Sequence, residues 1–216
     1  MSYFMKLNLP KNPLVDPVAV STRLITNGRL DGGLAGGYDL VEPGEVLTDE
    51  IMDIFSDLKL KPKFVSLFGS MIMQRTSTLE TRMIHTDIQQ LPNLTWKKML
   101  FGINWEIGDA ENIFSWYDMS KLPEVYPGVV VPSKFKTLGG IHYIKRFNNG
   151  VPEGAVKLDE TTLTYDTGPT LVRTNVAHLT VYKSKLLPRV GVSVRFDESD
   201  FDTWEDVTTF MAAIKQ

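Results

Sequence analysis

The chain has 216 residues, of which 43% are hydrophobic and 23% are charged, a composition typical of a soluble globular protein with a sizeable core. Its 23 basic and 26 acidic residues give a net charge of -3 without long runs of either sign, so neither disorder nor nucleic acid as a partner is expected. There is no cysteine, which excludes disulfides, thiolate metal sites and cysteine nucleophiles, and leaves His, Asp and Glu as the ligands for any metal.

Residues 1–62 are predicted to form an N-terminal extension that contains one helix. Thr48 is a favourable N-cap, acidic residues follow it in the first turn, apolar residues recur at helical spacing, and Pro62 ends the pattern. The glycine-rich stretch from Gly28 to Asp39 lacks the Gly-Lys-Ser/Thr of a phosphate loop, and we predict a mobile surface loop that could act as a lid. No segment has the apolar length of a signal peptide or a membrane span, so a cytoplasmic protein without a membrane partner is expected.

From Lys63 onward, short runs rich in Val, Ile, Phe, Tyr and Trp are separated by turn residues such as Gly108-Asp109. This pattern predicts a mainly β core over about residues 63–196, built as a sandwich or barrel. The last two strands are predicted to be long, Thr170 to Lys183 and Arg189 to Phe196, and to be joined by a short loop. An amphipathic helix over 199–216 completes a single domain of residues 1–216.

The stretch RMIHTDIQ, from Arg82 to Gln89, contains the most informative residues. In a strand, His85 and Asp87 point to the same face, so an imidazole and a carboxylate can converge on one divalent metal. A polar strand end, with Asp87 capping a turn, is the structural alternative. The chain has only three histidines, and His178 lies in the penultimate strand with Arg189 eleven residues later. If the last two strands form a hairpin, His178 and Arg189 can enter the same cavity.

His85, Asp87 and His178 together can supply a facial triad, which leaves three metal positions open. Non-heme Fe(II) oxygenases use two of these for a chelating oxoacid and one for dioxygen. A guanidinium would neutralise the far carboxylate of a dicarboxylic oxoacid. We assign this contact to Arg189, with Arg195 as a second contact or substitute, because Arg195 lies six residues further along the same strand face. Asn104, on the opposite strand face from Ile103 and Trp105, is a further candidate contact to a ligand carboxylate.

With these residues the sequence resembles the Fe(II)- and 2-oxoglutarate-dependent oxygenases over roughly residues 82–196. Within that superfamily it is similar to small oxygenase-like proteins of tailed phages and marine microbes, through INWEIGDAENIFSWYDM and NVAHLTVYKSKLLPRVGVSVRF. The resemblance implies a double-stranded β-helix (a cupin-like jelly roll) with flanking helices, and Fe(II) as cofactor bound by His85, Asp87 and His178. It also implies 2-oxoglutarate as cosubstrate, dioxygen as oxidant, a hydroxylase reaction and, if phage-encoded, a location in the host cytoplasm.

The sequence identifies neither the substrate nor whether the site is catalytically active. An organic metabolite, a protein side chain or a nucleobase would each be compatible with the expected site, because substrate-binding loops do not reveal what they bind. One alternative is a non-catalytic jelly-roll module, for example a virion-associated structural protein. Another is a cupin-type isomerase or dioxygenase that uses the metal without an oxoacid.

Overall fold

The computed structural model describes residues 2–27, 29–31, 34–72, 84–90, 96–108, 110–121, 129–131, 141–145, 151, 153–184 and 189–212. Most of the regular structure in this part of the chain is β. The strands are β1 (Phe4–Lys6), β2 (Arg29–Asp31), β3 (Leu34–Val41), β4 (Pro62–Ile72), β5 (His85–Gln90), β6 (Trp96–Lys98), β7 (Phe101–Ile107), β8 (Ala110–Asp118), β9 (Val129–Val131), β10 (Ile141–Lys145), β11 (Val156–Leu163), β12 (Thr170–Arg173), β13 (His178–Ser184) and β14 (Arg189–Phe196). The helices are α1 (Pro17–Asn27), α2 (Pro43–Val46), α3 (Asp49–Asp57) and α4 (Trp204–Met211).

The strands form two antiparallel sheets. The first sheet has the order β1-β12-β7-β14-β4-β3-β2, and the second has the order β11-β8-β13-β5-β10-β9, with β6 paired to β5. Strands that follow one another in sequence therefore often lie in different sheets, as β4 and β5 do. The prediction of a mainly β protein with flanking helices is confirmed.

The main core lies between the helices and one face of the first sheet. Alternate residues of β14 (Val190, Val192, Val194 and Phe196) are buried in it with residues of β7, α3 and α4. This alternation follows from the two-residue period of a strand, and it leaves the other face of β7 and β14 directed toward the second sheet. None of the helices among the described residues is long and apolar enough to cross a membrane.

The predicted helix after Thr48 is present as α3. The Thr48 side chain accepts a hydrogen bond from the backbone N–H of Ile51, which satisfies one of the free donors at the helix start. Ile51 and Phe55 are fully buried one helical turn apart. The C-terminal helix is present as α4, where Thr203 and Asp206 form a reciprocal capping box; residues 213–216 of the predicted range lie outside the described part.

The prediction of a loop in the glycine-rich stretch is wrong. Residues 29–31 and 34–41 form the antiparallel pair β2 and β3, and β3 pairs along its length with β4. The low strand propensity of glycine is outweighed here by hydrogen bonding to a long neighbouring strand, because strand preference depends strongly on tertiary context. Strand β1 and helix α1 lie in the same N-terminal region and were not predicted from the sequence.

The prediction of one long strand from Thr170 to Lys183 is also wrong. The chain leaves β12 after Arg173 and enters β13 at His178, so the two halves of this stretch belong to different sheets. The hairpin considered as one way to bring His178 and Arg189 together does not form, because β13 lies in the second sheet and β14 in the first. His178 therefore reaches the interior from the second sheet, and the residues of β14 face it from the first.

Candidate metal centre

His85, Asp87 and His178 converge in the space between the two sheets. His85 and Asp87 are on β5, and His178 starts the neighbouring strand β13, where it pairs directly with His85. The Nε2 atoms of His85 and His178 lie 3.6 and 3.8 Å from Oδ1 of Asp87. One potential ligand atom from each residue lies within 4.8 Å of the other two. The sequence prediction that these three side chains meet at one point is confirmed.

The protonation of His178 suits metal binding. Its Nδ1 lies 2.9 Å from the backbone carbonyl oxygen of Val176, which accepts a hydrogen bond when Nδ1 carries the proton. That tautomer leaves the lone pair of Nε2 directed toward Asp87, an arrangement common in metal-bound histidines. Burial, followed by the proximity of His85, lowers the pKa of His178 to about 3, so the ring is neutral near pH 7. A neutral imidazole beside a carboxylate forms no ion pair but can donate its lone pair to a cation.

The two carboxylate oxygens of Asp87 have different surroundings. Oδ2 accepts a short hydrogen bond from Nη2 of Arg195, whereas Oδ1 is buried and has no hydrogen-bond partner among the described residues. A buried acceptor without a partner is costly, and a cation between Oδ1 and the two imidazoles would satisfy it. Two imidazoles and one carboxylate are a donor set suited to iron, manganese or zinc. The residues present therefore fit a bound divalent metal.

Gly102 has no side chain and so leaves room for Arg195 close to the candidate metal centre. Its guanidinium lies over the Cα of Gly102 on β7, where a Cβ atom would be only 2.2 Å from Nη1 and 2.8 Å from Cζ. The side chain of Arg195 is 5% exposed, and its Nε and Nη1 have no hydrogen-bond partner among the described residues. Arg195 thus forms a buried ion pair with the candidate metal ligand Asp87 and retains donor groups for a further ligand.

The remaining two predicted contacts have different outcomes. Asn104 lies on the face opposite the buried Ile103 and Trp105, as predicted, and its Oδ1 accepts a hydrogen bond of 2.5 Å from the Ser193 hydroxyl. Arg189 is the first residue of β14 and pairs with Ser70, but its side chain lies outside the described part of the chain. The roles of Asn104 and Arg189 in binding an oxoacid stay predictions.

Several residues of this interior were not singled out from the sequence. The ring of Phe114 stacks on that of His178 with centroids 4.8 Å apart. Further along the same strand, Nδ2 of the buried Asn112 donates a 2.7 Å hydrogen bond to the carboxylate of the buried Glu106. Glu106 is two residues from Asn104, and Asn112 is two residues from Phe114, so the sequence places each pair on one strand face. Which face of β7 and β8 points inward could not be assigned without the fold.

The sequence matches no protein-family model and no curated protein.

Proposed function

We propose that the protein is an Fe(II)- and 2-oxoglutarate-dependent oxygenase, acting as a hydroxylase on an organic or protein substrate. The observation that carries this proposal is the convergence of the partly buried His85 with the buried Asp87 and His178. Among the described residues, Oδ1 of Asp87 has no hydrogen-bond partner, and it lies close to both imidazoles. Three protein ligands on one side of a metal leave the opposite side open for cosubstrate and dioxygen.

The strand pairing supports a double-stranded β-helix. If β4, β5, β7, β8, β11, β12, β13 and β14 are taken as its eight strands, the first pairs with the last, the second with the seventh, the third with the sixth and the fourth with the fifth. This nested pairing divides the eight strands equally between two facing sheets, the arrangement expected of a jelly roll. The proposed ligands His85 and Asp87 come from the second strand of this set, and His178 comes from the seventh.

When bound, Fe(II) and 2-oxoglutarate would supply the oxidative chemistry, in which dioxygen oxidises the substrate and decarboxylates the oxoacid. The chain's own residues would provide binding and orientation. His178 stays neutral through burial and is oriented by the carbonyl of Val176. Arg195 holds Oδ2 of Asp87, so that Oδ1 is the oxygen available to the metal.

Binding of the oxoacid is assigned to the arginines of β14. Nε and Nη1 of Arg195 can donate to a carboxylate near the metal, since neither has a partner among the described residues. Arg189 lies six residues from Arg195 on the same strand, about 20 Å at a rise of about 3.4 Å per residue, which exceeds the length of a five-carbon oxoacid; one 2-oxoglutarate would therefore be bound by Arg189 or by Arg195 as its substitute, and not by both. Asn104 and Ser193 lie between these two positions on β14 and its neighbour β7, and could contact the oxoacid chain.

The test is an anaerobic titration of the protein with Fe(II) and 2-oxoglutarate, followed by the visible metal-to-ligand charge-transfer band. We expect the band in the wild type and in His142→Ala, because His142 pairs with Ile88 rather than with a proposed ligand. His178→Ala should lose it. Absence of the band in the wild type, or equal bands in the wild type and His178→Ala, would refute the proposal.

The same titration separates the alternatives. Metal binding that is indifferent to 2-oxoglutarate and to Arg189→Ala would favour a cupin-type enzyme without an oxoacid. Absence of metal binding would favour a non-catalytic binding or virion-associated module. Succinate formation from 2-oxoglutarate, even without an added substrate, would count against that module.

A further inference from the structure

The backbone of Asp87 is hydrogen-bonded to segments that adjoin the first sheet, although Asp87 itself lies on β5 of the second. Its N–H donates to the carbonyl of Thr174 at 3.1 Å, and its carbonyl accepts from the N–H of Met99 at 2.9 Å. Thr174 directly follows β12, and Met99 lies two residues before β7. The position of Asp87 therefore depends on how these two chain segments are held.

Thr174 ties the two segments together. Its hydroxyl donates to the carbonyl of Met99, and its backbone N–H donates to the carbonyl of Leu100, both at 2.9 Å. The residue is fully buried, so water does not compete for these hydrogen bonds. Asp87, Thr174 and Met99 thus form a closed ring of three hydrogen bonds. Two of them join backbone groups, and the third is donated by the Thr174 hydroxyl.

Glu198 binds the two residues that follow Met99 in the chain. Both of its carboxylate oxygens lie 2.9 Å from the N–H of Leu100, and Oε1 also accepts from the N–H of Phe101 at 3.2 Å. Glu198 is 7% exposed and lies three residues after Arg195. Residues at and just beyond the end of β14 therefore act on Asp87 in two ways. Arg195 forms an ion pair with its carboxylate, and Glu198 binds the residues next to Met99, whose N–H donates to the Asp87 carbonyl.

We propose that Thr174 and Glu198 are positioning residues for the Asp87 carboxylate. They keep its Oδ1 at a place from which Oδ1 and both imidazoles can bind one metal ion. The role as part of a metal centre rests on the proposed function. Groups that orient a metal ligand without touching the metal commonly affect metal affinity, because a misplaced ligand cannot complete the coordination geometry. Neither residue touches the substrate or the metal, so neither is a catalytic residue.

The main test replaces the Thr174 hydroxyl. Thr174→Val keeps the shape of the side chain but cannot donate to Met99, and should weaken Co(II) binding about ten-fold. The visible Co(II) spectrum should change as well, because it reports the coordination geometry. Thr174→Ser restores the hydroxyl and should bind Co(II) within about two-fold of the wild type. Glu198→Gln, which has one acceptor oxygen in place of two, should change affinity in the same direction as Thr174→Val.

Thr170→Val is the matched control. Thr170 is also fully buried, lies at the other end of β12, and uses its hydroxyl to bind Lys6 and the carbonyl of Gly168. This variant should lose thermal stability but keep its Co(II) affinity and spectrum. If Thr174→Val and Thr170→Val lose similar stability and bind Co(II) equally well, Thr174 is only structural and the inference is overturned.

A second measurement does not require metal binding. In the metal-free protein, Thr174→Val and Asp87→Asn should lower the unfolding midpoint less in combination than the sum of their separate effects, because both disturb the same carboxylate. Additive effects would overturn the inference. A wild type that binds no metal but shows this coupling would refute the oxygenase proposal while leaving Thr174 as a positioning residue for Asp87.

Discussion

Gly102→Ala is expected to break the ion pair between Arg195 and Asp87 without altering either residue. A Cβ at this position would lie 2.2 Å from Nη1 of Arg195, closer than any real contact allows. Gly102 lies within β7 and its φ is not positive, so the backbone accepts alanine and the guanidinium has to move. Because Arg195 is buried, its movement removes the partner of Oδ2 of Asp87.

The expected loss in the free energy of unfolding follows from the burial of both Arg195 and Asp87. Separating a buried ion pair costs about 3–5 kcal/mol. Alanine restricts the unfolded chain more than glycine does, which returns about 0.4–1 kcal/mol. The net loss in the free energy of unfolding should therefore be about 2–4.5 kcal/mol. Urea denaturation of the metal-free protein at pH 7 measures this difference directly.

The mechanism is tested by a double-mutant cycle with Arg195→Ala, which leaves space for the new methyl group. We expect Gly102→Ala to cost much less in the Arg195→Ala background than in the wild type. Gly69→Ala is a control for overcrowding elsewhere, because its Cβ would lie 2.7 Å from Cβ of Leu24; Gly44→Ala, with nothing within 4 Å, should be tolerated. A Gly102→Ala protein as stable as the wild type, or one whose effect adds fully to that of Arg195→Ala, would show this reasoning to be wrong.

Three further predictions concern other parts of the molecule. Asn104→Ala should weaken 2-oxoglutarate binding in the charge-transfer titration while leaving metal affinity within about two-fold; a selective loss of metal affinity would contradict the assigned role. Thr203→Ala removes the capping box of α4 and should lower the free energy of unfolding by about 1 kcal/mol, with Co(II) binding unchanged. Burial raises the pKa of Glu198, so its contribution to stability is complete below the ordinary glutamate pKa and is lost as the pH rises through the raised value. The stability of the wild type relative to Glu198→Gln should therefore fall with increasing pH over that window, and a rise in urea-unfolding measurements would contradict the direction of the shift.

Features governed by neighbouring residues could be predicted from the sequence. The cap at Thr48 and the apolar spacing after it specify α3 through contacts within a few residues. The shared face of His85 and Asp87 follows from the two-residue period of a strand, and so does the separation of Asn104 from Ile103 and Trp105. In each of these cases the relevant geometry is local.

Tertiary structure decided which strand each segment pairs with. The glycine-rich stretch has weak local preference, and pairing with β4 makes it a strand. The residues after Arg173 read as one continuous strand, yet the chain crosses there to the other sheet and brings Thr174 against Asp87. Strand periodicity is the same whichever partner is chosen, so it could not distinguish these outcomes.

The roles of the two arginines show the same division. Their even spacing on β14 could be read from the sequence, but the partner of each depends on residues far away in the chain. Arg195 reaches Asp87, 108 residues earlier, because β14 and β5 face each other and Gly102 leaves room between them. The sequence by itself determined the kinds of ligand available and the faces they share, whereas contacts between the two sheets decided which atoms meet, because those contacts have no local signal.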